Sequence, residues 1–386
     1  DVLAARADIE LIQPGPAPAL QAPAPDALAQ AVALLRNAKF PVIYAGGGVP
    51  ASGAADAVRR LAECLQAPVL MTDIARGTLS ERHPLALPNL GGRCILPHAD
   101  VVLVVGSRFL DGAGKPTMSR DTAQDIYLNI EPDNLGAPRA PGVQLLADAA
   151  VGVQHLYQAL EGHQAPSRTK EVAQVRAWCD QQINLLEPQM SYVGALRRHI
   201  PDNGILVSEL TQVGYVSNFA YPVYQPRTLI TPGYQGTLGY GFATALGVSI
   251  GNPDRVTVSI NGDGGFGWNL QELATLAKYQ PNLITVVFAD GAFGNVRRIQ
   301  SRVFKREIGT SLHNPDFAKL GEAYGLPTHS VDSPAAFDAV LAAAVKAGGP
   351  HFISVSVGVL RGGWHLMHSF SPAPHPAPVN PLGEPA

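Results

Sequence analysis

Two aspartates in Gly-rich settings are the residues of this sequence best suited to chemistry: Asp263, within Asn261-Gly-Asp-Gly-Gly-Phe266, and Asp290, within Phe288-Ala-Asp-Gly-Ala-Phe-Gly294. Two carboxylates brought together make a site for a hard divalent cation, and glycines beside them let main-chain N–H groups lie against phosphate. Such a cation would bridge protein to diphosphate. A lone Gly-Asp-Gly is ordinarily a solvated turn, so the reading depends on elements that bring the second aspartate beside the first.

Those elements are legible. Val256-Thr-Val-Ser-Ile260 is a β-branched run of strand length that stops at the Gly-rich cluster, so Asp263 lies at a strand's carboxyl end. From Leu270 to Lys278 apolar residues recur at 270, 273, 274 and 277, a helical spacing closed off by Pro281. Leu283-Ile-Thr-Val-Val-Phe288 is a second strand, ending on Asp290-Gly291. In one sheet such a unit is parallel with a right-handed crossover. Neighbouring strands lie about 4.8 Å apart, which predicts both aspartates on one edge with a helix N-terminus pointing in.

The same alternation runs through the chain. Residues 1–26, with Pro14, Pro16, Pro18, Pro23 and Pro25, read as an extended arm or linker. Helices over 27–35, 55–65 and 149–160 interleave with strands 41–45, 68–71, 101–105, 126–130 and 143–146, giving a first domain over 27–162. A linker over 163–171 leads to a second domain over 172–365. Its helices are 172–186, 192–200, 239–248, 316–324 and 334–346, and its further strands are 205–208, 228–230 and 351–355. Near-continuous apolar strands between helices mean parallel sheets covered on both faces. The fold class is α/β: two doubly wound parallel-sheet domains, the first Rossmann-like, without a detectable sequence repeat. Residues 366–386 read as a loose Pro-rich tail.

Composition narrows the function. A net charge of −3 gives no basic footprint for nucleic acid and no polybasic surface for a membrane. No apolar stretch approaches the roughly 18 residues of a span. Cys64, Cys94 and Cys179 stand far apart in no metal-ligand spacing and fit a reduced cytoplasmic setting.

The run Gly262-Asp-Gly264, Gln271-Glu-Leu273, Pro281 and Val286-Val-Phe-Ala-Asp-Gly-Ala-Phe-Gly294 resembles the cofactor signature of the thiamine-diphosphate-dependent enzymes. Residues 27–160 resemble the central domain of the acetolactate synthase type, notably Pro41-Val-Ile-Tyr-Ala-Gly-Gly-Gly48, Glu81-Arg-His-Pro84 and Ala99-Asp-Val-Val-Leu-Val-Val-Gly-Ser-Arg-Phe109. Residues 172–358 resemble the diphosphate-binding domain. The resemblance implies thiamine diphosphate with Mg2+ held by Asp263, Asp290 and the Ala292 carbonyl. Gly262, Gly264, Gly265, Phe266 and the amides near Phe293 would hold the diphosphate, joined by Thr211 and Gln212. In Pro232-Gly-Tyr-Gln-Gly-Thr-Leu-Gly-Tyr-Gly-Phe-Ala-Thr-Ala-Leu-Gly247 it implies Leu238 as the apolar wedge beneath the cofactor and the Gly236 carbonyl as acceptor from the aminopyrimidine.

It further implies decarboxylation of a pyruvate-like 2-oxo acid with carboligation, in a homodimer or tetramer. Three departures bear on this. The family's Asn-Asn is Ala289-Asp290, which adds a negative charge beside Asp263 and predicts one raised carboxylate pKa. FAD, held in the central domain of many acetolactate synthases, stays open: Arg108 is kept, whereas Leu110 and Gly112 replace an acidic and a basic residue. The activating Glu belongs to a pyrimidine-binding domain that precedes the central one, and Asp1-Val-Leu resembles the exit from it. The expectation is a chain that needs this domain, from its own or a neighbouring subunit, for turnover. Arg297 and Arg298 read as surface residues of a helix, with a substrate carboxylate as the sharper alternative; Trp364 and His365 are further candidates for the pocket. Two other readings stay open. One is a different thiamine enzyme: a pyruvate or benzoylformate decarboxylase, an oxidase or a glyoxylate carboligase. The other is a non-catalytic module binding a nucleotide at Gly46-Gly-Gly48, a loop that also reads as a plain turn.

Overall fold

The computed structural model describes residues 4–16, 19–110, 123–136, 142–233, 235–359, 366 and 378–384. In the first half the order is α1 (Pro25–Asn37), β1 (Pro41–Ala45), α2 (Gly48–Ser52), α3 (Ala55–Leu65), β2 (Val69–Met71), β3 (Ala86–Pro88), α4 (Gly92–Ile95), β4 (Val101–Val105), β5 (Gln124–Asn129), β6 (Val143–Leu146) and α5 (Ala149–Ala159). The six strands form one parallel sheet ordered β3-β2-β1-β4-β5-β6. Its central strands β1 and β4 are buried at every position, which is why both read as unbroken apolar runs.

The second half continues with α6 (Thr169–Ile183), α7 (Gln189–His199), β7 (Ile205–Ser208), α8 (Gln212–Ala220), β8 (Leu229–Ile230), α9 (Tyr240–Gly251), β9 (Thr257–Gly262), α10 (Asp263–Phe266), α11 (Leu273–Tyr279), β10 (Leu283–Ala289), α12 (Gly294–Phe304), α13 (Phe317–Ala323), β11 (Thr328–Val331), α14 (Pro334–Ala347) and β12 (His351–Ser356). A second parallel sheet runs β11-β12-β10-β9-β7-β8. Strand order reverses between β7 and β9, the switch point at which such sheets open a crevice at their carboxyl edge. The expected pairing holds: β9 and β10 are parallel neighbours with Phe288 opposite Gly262.

The expected elements are present with shifted ends. The edge strands β3 and β11, and the helices α2, α4, α8 and α12, go beyond the expectation. The Gly-rich turn, expected to be a loop, winds into the single helical turn of α10, closed by the Gly267 N–H on the Asp263 carbonyl at 3.0 Å. The helix expected from Leu270 begins as a 3-10 turn over Leu270–Glu272 and becomes α-helical at Leu273. The tail is less loose than expected where it is described: Asn380 donates to the Cys94 carbonyl at 3.1 Å, and Leu382 packs on the core.

Buried side chains join the two halves. Arg76, 3 % exposed, donates to the Ser217, Asn218 and Tyr221 carbonyls at 3.1, 2.8 and 2.5 Å and pairs with Glu81. Its guanidinium thereby caps the C-terminal end of α8, where main-chain carbonyls have no helical partner.

Candidate functional site

Asp263 is held in place by its own surroundings. Asn261 is buried and donates to Ser259 Oγ at 2.6 Å and the Val286 carbonyl at 3.0 Å, which fixes the end of β9. Asp263 opens α10 and is 4 % exposed. Its Oδ1 accepts from the Gly264 N–H at 3.0 Å, and its Oδ2 accepts from the Gly291 N–H at 2.8 Å and Asn314 Nδ2 at 2.6 Å. Since Gly291 directly follows Asp290, the first aspartate is tied to the loop that carries the second.

Asp290 is half-buried just beyond β10. Its Oδ1 accepts from the Ala292 N–H at 3.1 Å and its Oδ2 from Gln212 Nε2 at 2.6 Å. The chain turns here at Gly291, whose φ of 70° is a conformation glycine adopts without strain. Burial pushes the Asp290 carboxyl above its ordinary range; the Gln212 hydrogen bond opposes this and the nearby Asp263 charge adds to it. The expected like-charge effect is thus present, smaller than both the burial effect and the opposing Gln212 hydrogen bond. The loop is braced from outside, with the Phe293 N–H on the Thr310 carbonyl and the Leu312 N–H on the Gly291 carbonyl, both at 2.8 Å. Neither bond uses the Ala292 carbonyl.

Both aspartates open into a crevice of about 550 Å³ at the β7/β9 switch point, within the usual range for small-molecule sites. Of the sequence candidates, Thr211, Gln212, Gly236, Leu238, Gly262, Asp263, Gly264, Gly265, Asp290, Ala292 and Phe293 all line it. Thr211 stands at the N-terminal end of α8, and its side chain makes no capping hydrogen bond there. Gln212 is engaged with Asp290.

Three expectations need correction. Phe266 does not line the crevice; its ring is buried against Phe242, Phe317 and Phe352 at centroid distances of 5.2, 6.0 and 5.5 Å, because α10 turns it into the core. The Phe293 amide is committed to the Thr310 carbonyl at 2.8 Å and is not free for a diphosphate, although the residue borders the crevice. Arg297 and Arg298 are half-buried wall residues; Arg298 donates to Asn295 Oδ1 at 3.0 Å, and burial lowers its pKa. Trp364, His365 and Gly112 lie outside the described residues. Sequence reasoning missed Asn314, which reaches Asp263 from an irregular loop 51 residues away with no spacing to betray it. It also passed over Glu209, which is buried beneath the crevice.

The donors suit a hard cation: two carboxylates and a carbonyl, all oxygen. Among the described residues no cluster of three or more His, Cys, Asp or Glu side chains is suited to a metal, so a cation here needs further oxygens from a ligand or water. That fits a cation bound together with phosphate.

Residues 211–355 match the family described as "Thiamine pyrophosphate enzyme, C-terminal TPP binding domain", and residues 28–156 match "Thiamine pyrophosphate enzyme, central domain". The chain belongs to the thiamine pyrophosphate enzymes. Most of the crevice lining, Asp263 and Asp290 included, falls within the range matched by the C-terminal TPP binding domain. The chain is 31 % identical over 362 residues to the acetolactate synthase isozyme 1 large subunit of Escherichia coli, which covers 90 % of this chain and 64 % of that protein. It is 29 % identical over 363 residues to a "Probable acetolactate synthase large subunit" of Methanococcus aeolicus, 86 % of this chain and 60 % of that one. It is 30 % identical over 314 residues to a "Probable 2-ketoarginine decarboxylase" of Pseudomonas aeruginosa, 78 % of this chain and 55 % of that one. The chain thus spans about 60 % of the length of the acetolactate synthase subunits it matches. No helix of the described residues is long and apolar enough to cross a membrane.

Proposed function

We propose that this chain binds thiamine diphosphate through Mg2+ in the crevice and serves an acetolactate synthase-like reaction, decarboxylation of a pyruvate-like 2-oxo acid with carboligation. The observation that carries the reading is the convergence of Asp263 and Asp290 on adjacent strand ends, tied by the Gly291 N–H. Asp263, Asp290 and the Ala292 carbonyl would hold the cation. The main chain at Gly264 and Gly265 and the Thr211 side chain would receive the diphosphate, and Gln212 keeps Asp290 oriented. Leu238, 50 % exposed although apolar, is available to prop the cofactor's rings, with the Gly236 carbonyl beside it. When bound, thiamine diphosphate supplies the electron sink for carbon–carbon cleavage.

The reading assigns the activating carboxylate to a pyrimidine-binding domain of the same or a neighbouring subunit, in a homodimer or tetramer. The apolar face of α12 supports a covering partner: Val296, Ile299, Val303 and Phe304 are all exposed next to the crevice. A cytoplasmic setting belongs to the same reading, supported by the free thiols of Cys64, Cys94 and Cys179. Calorimetric titration with thiamine diphosphate and Mg2+, then pyruvate turnover with and without a pyrimidine-binding domain, tests the proposal. Binding that ignores Mg2+ would overturn it, and products from pyruvate, glyoxylate and benzoylformate separate the acetolactate synthase reading from other thiamine enzymes.

A second site favours an additional nucleotide. Between β1 and β4, the switch point of the first sheet, lies a crevice of about 580 Å³ bordered by Gly47, Gly48, Gly106, Ser107 and Arg108. A Cβ on Gly46 would come within 2.3 Å of the Gly106 carbonyl, so this turn is closely packed main chain. FAD would be its occupant in an acetolactate synthase-like protein, and flavin fluorescence on titration checks it.

A further inference from the structure

Glu209 is a buried carboxylate that the cation site does not use. It follows β7, is 2 % exposed, and is anchored by its N–H on the Ile260 carbonyl at 2.9 Å and by the Thr211 N–H on its own carbonyl at 2.9 Å. Its Oε1 accepts from the Gly239 N–H at 2.8 Å, and its Oε2 is buried without a hydrogen-bond partner. Main chain encloses it: a Cβ on Gly265 would lie 2.2 Å from both carboxylate oxygens, and one on Gly241 would lie 2.9 Å from the Glu209 Cβ. Burial raises its pKa to about 7, against the amides of Gly239, Gly262, Gly241 and Tyr240, which favour the charged form. Folding alone gives no reason to bury such a group, since an apolar residue of similar volume avoids the desolvation cost.

What Glu209 grips is Gly239, which takes a φ of 81° before α9. The Gly239 carbonyl is gripped in turn by Asn269 Nδ2 at 2.5 Å, and a Cβ at this position would lie 2.7 Å from that nitrogen. Each of the two peptide groups that meet at Gly239 is therefore held by a side chain, one by Glu209 and the other by Asn269. Immediately before it stands Leu238, an apolar side chain left half exposed in the crevice.

We propose that Glu209 and Asn269 are positioning residues, a clamp on Gly239 that holds Leu238 out into the crevice against the ring end of a bound cofactor. The inference rests on reading the crevice as a thiamine diphosphate site. It separates two ends of that site: the clamp serves the rings, while the aspartates serve the diphosphate.

Two probes separate those ends, each titrated calorimetrically with Mg2+: thiamine diphosphate, which occupies both, and inorganic pyrophosphate, which occupies only the phosphate end. Glu209→Ala and Asn269→Ala are expected to weaken thiamine diphosphate about tenfold, the scale of one lost hydrogen bond with its ordering, while leaving pyrophosphate unchanged. Glu209→Gln keeps an oxygen for the Gly239 N–H and retains thiamine diphosphate binding. Hydrogen exchange at the Gly239 amide, read by NMR without ligand, is expected to speed up in both Ala variants. If Glu209→Ala fails to fold, Asn269→Ala carries the same test. Unchanged thiamine diphosphate binding, or an equal loss for both probes, overturns the proposal. If the unmodified chain binds neither probe, the cofactor reading fails instead, and unaltered Gly239 exchange in the variants would still sink the clamp.

Discussion

Gln212 donates to Asp290 at 2.6 Å, joining the first turn of α8 to the loop after β10 across 78 residues of sequence. The bond orients one proposed cation ligand from a helix whose other end is capped by Arg76 of the first domain. Replacing Gln212 with Ala is expected to weaken Mg2+-dependent pyrophosphate binding by about five- to tenfold, the scale of one ordinary hydrogen bond. Gln212→Glu, which places a third negative charge there, is expected to weaken it further in calorimetric titration.

Asp290 titrates above the ordinary carboxylate range because it is buried beside Asp263. Protons therefore compete with the cation, so Mg2+ affinity is expected to fall on acidification at a pH where an exposed aspartate is still fully charged. Asp290→Asn keeps an oxygen ligand and removes the titration. Its Mg2+ affinity is expected to depend less on pH than that of the unmodified chain, measured by titration at several pH values.

Stability follows the other buried carboxylate. The Glu209 pKa is raised from 4.5 to about 7 in the fold, so the folded state holds its proton more tightly than the unfolded chain does. Stability from this group is full below about pH 4.5 and is lost as pH rises to about 7, to the extent of about 3 kcal/mol. Glu209→Gln is expected to be more stable than the unmodified protein above pH 7 and to lose that advantage in acid, by urea unfolding across pH.

Arg76 offers a test of how the halves are joined. Arg76→Ala strands three carbonyls at the end of α8 and leaves Glu81 unpaired in a part-buried place. The expected loss is about 3–5 kcal/mol, seen in denaturant unfolding.

The two sheets were legible because their central strands are buried on both faces: Val101-Val-Leu-Val-Val105 and Leu283 to Phe288 read as nothing else. The edges were not. β3 is three residues ending in Pro88, and β11, Thr328-His-Ser-Val331, is polar and partly exposed, so neither carries an apolar run. The helix α12 hid because its apolar residues face the crevice and solvent, and none of them is buried. In the site, Asp263 and Asp290 announced themselves by the glycines around them. Asn314 and the Glu209–Gly239 contact are long-range hydrogen bonds, which no local pattern encodes.

The account stands or falls on a cation shared by Asp263 and Asp290. Calorimetric titration of thiamine diphosphate into the unmodified chain and Asp263→Ala, each with Mg2+ and with the metal chelated, measures that directly. The account predicts binding by the unmodified chain with Mg2+ alone and none by the variant; equal binding by both chains, or binding that persists after chelation, would contradict it.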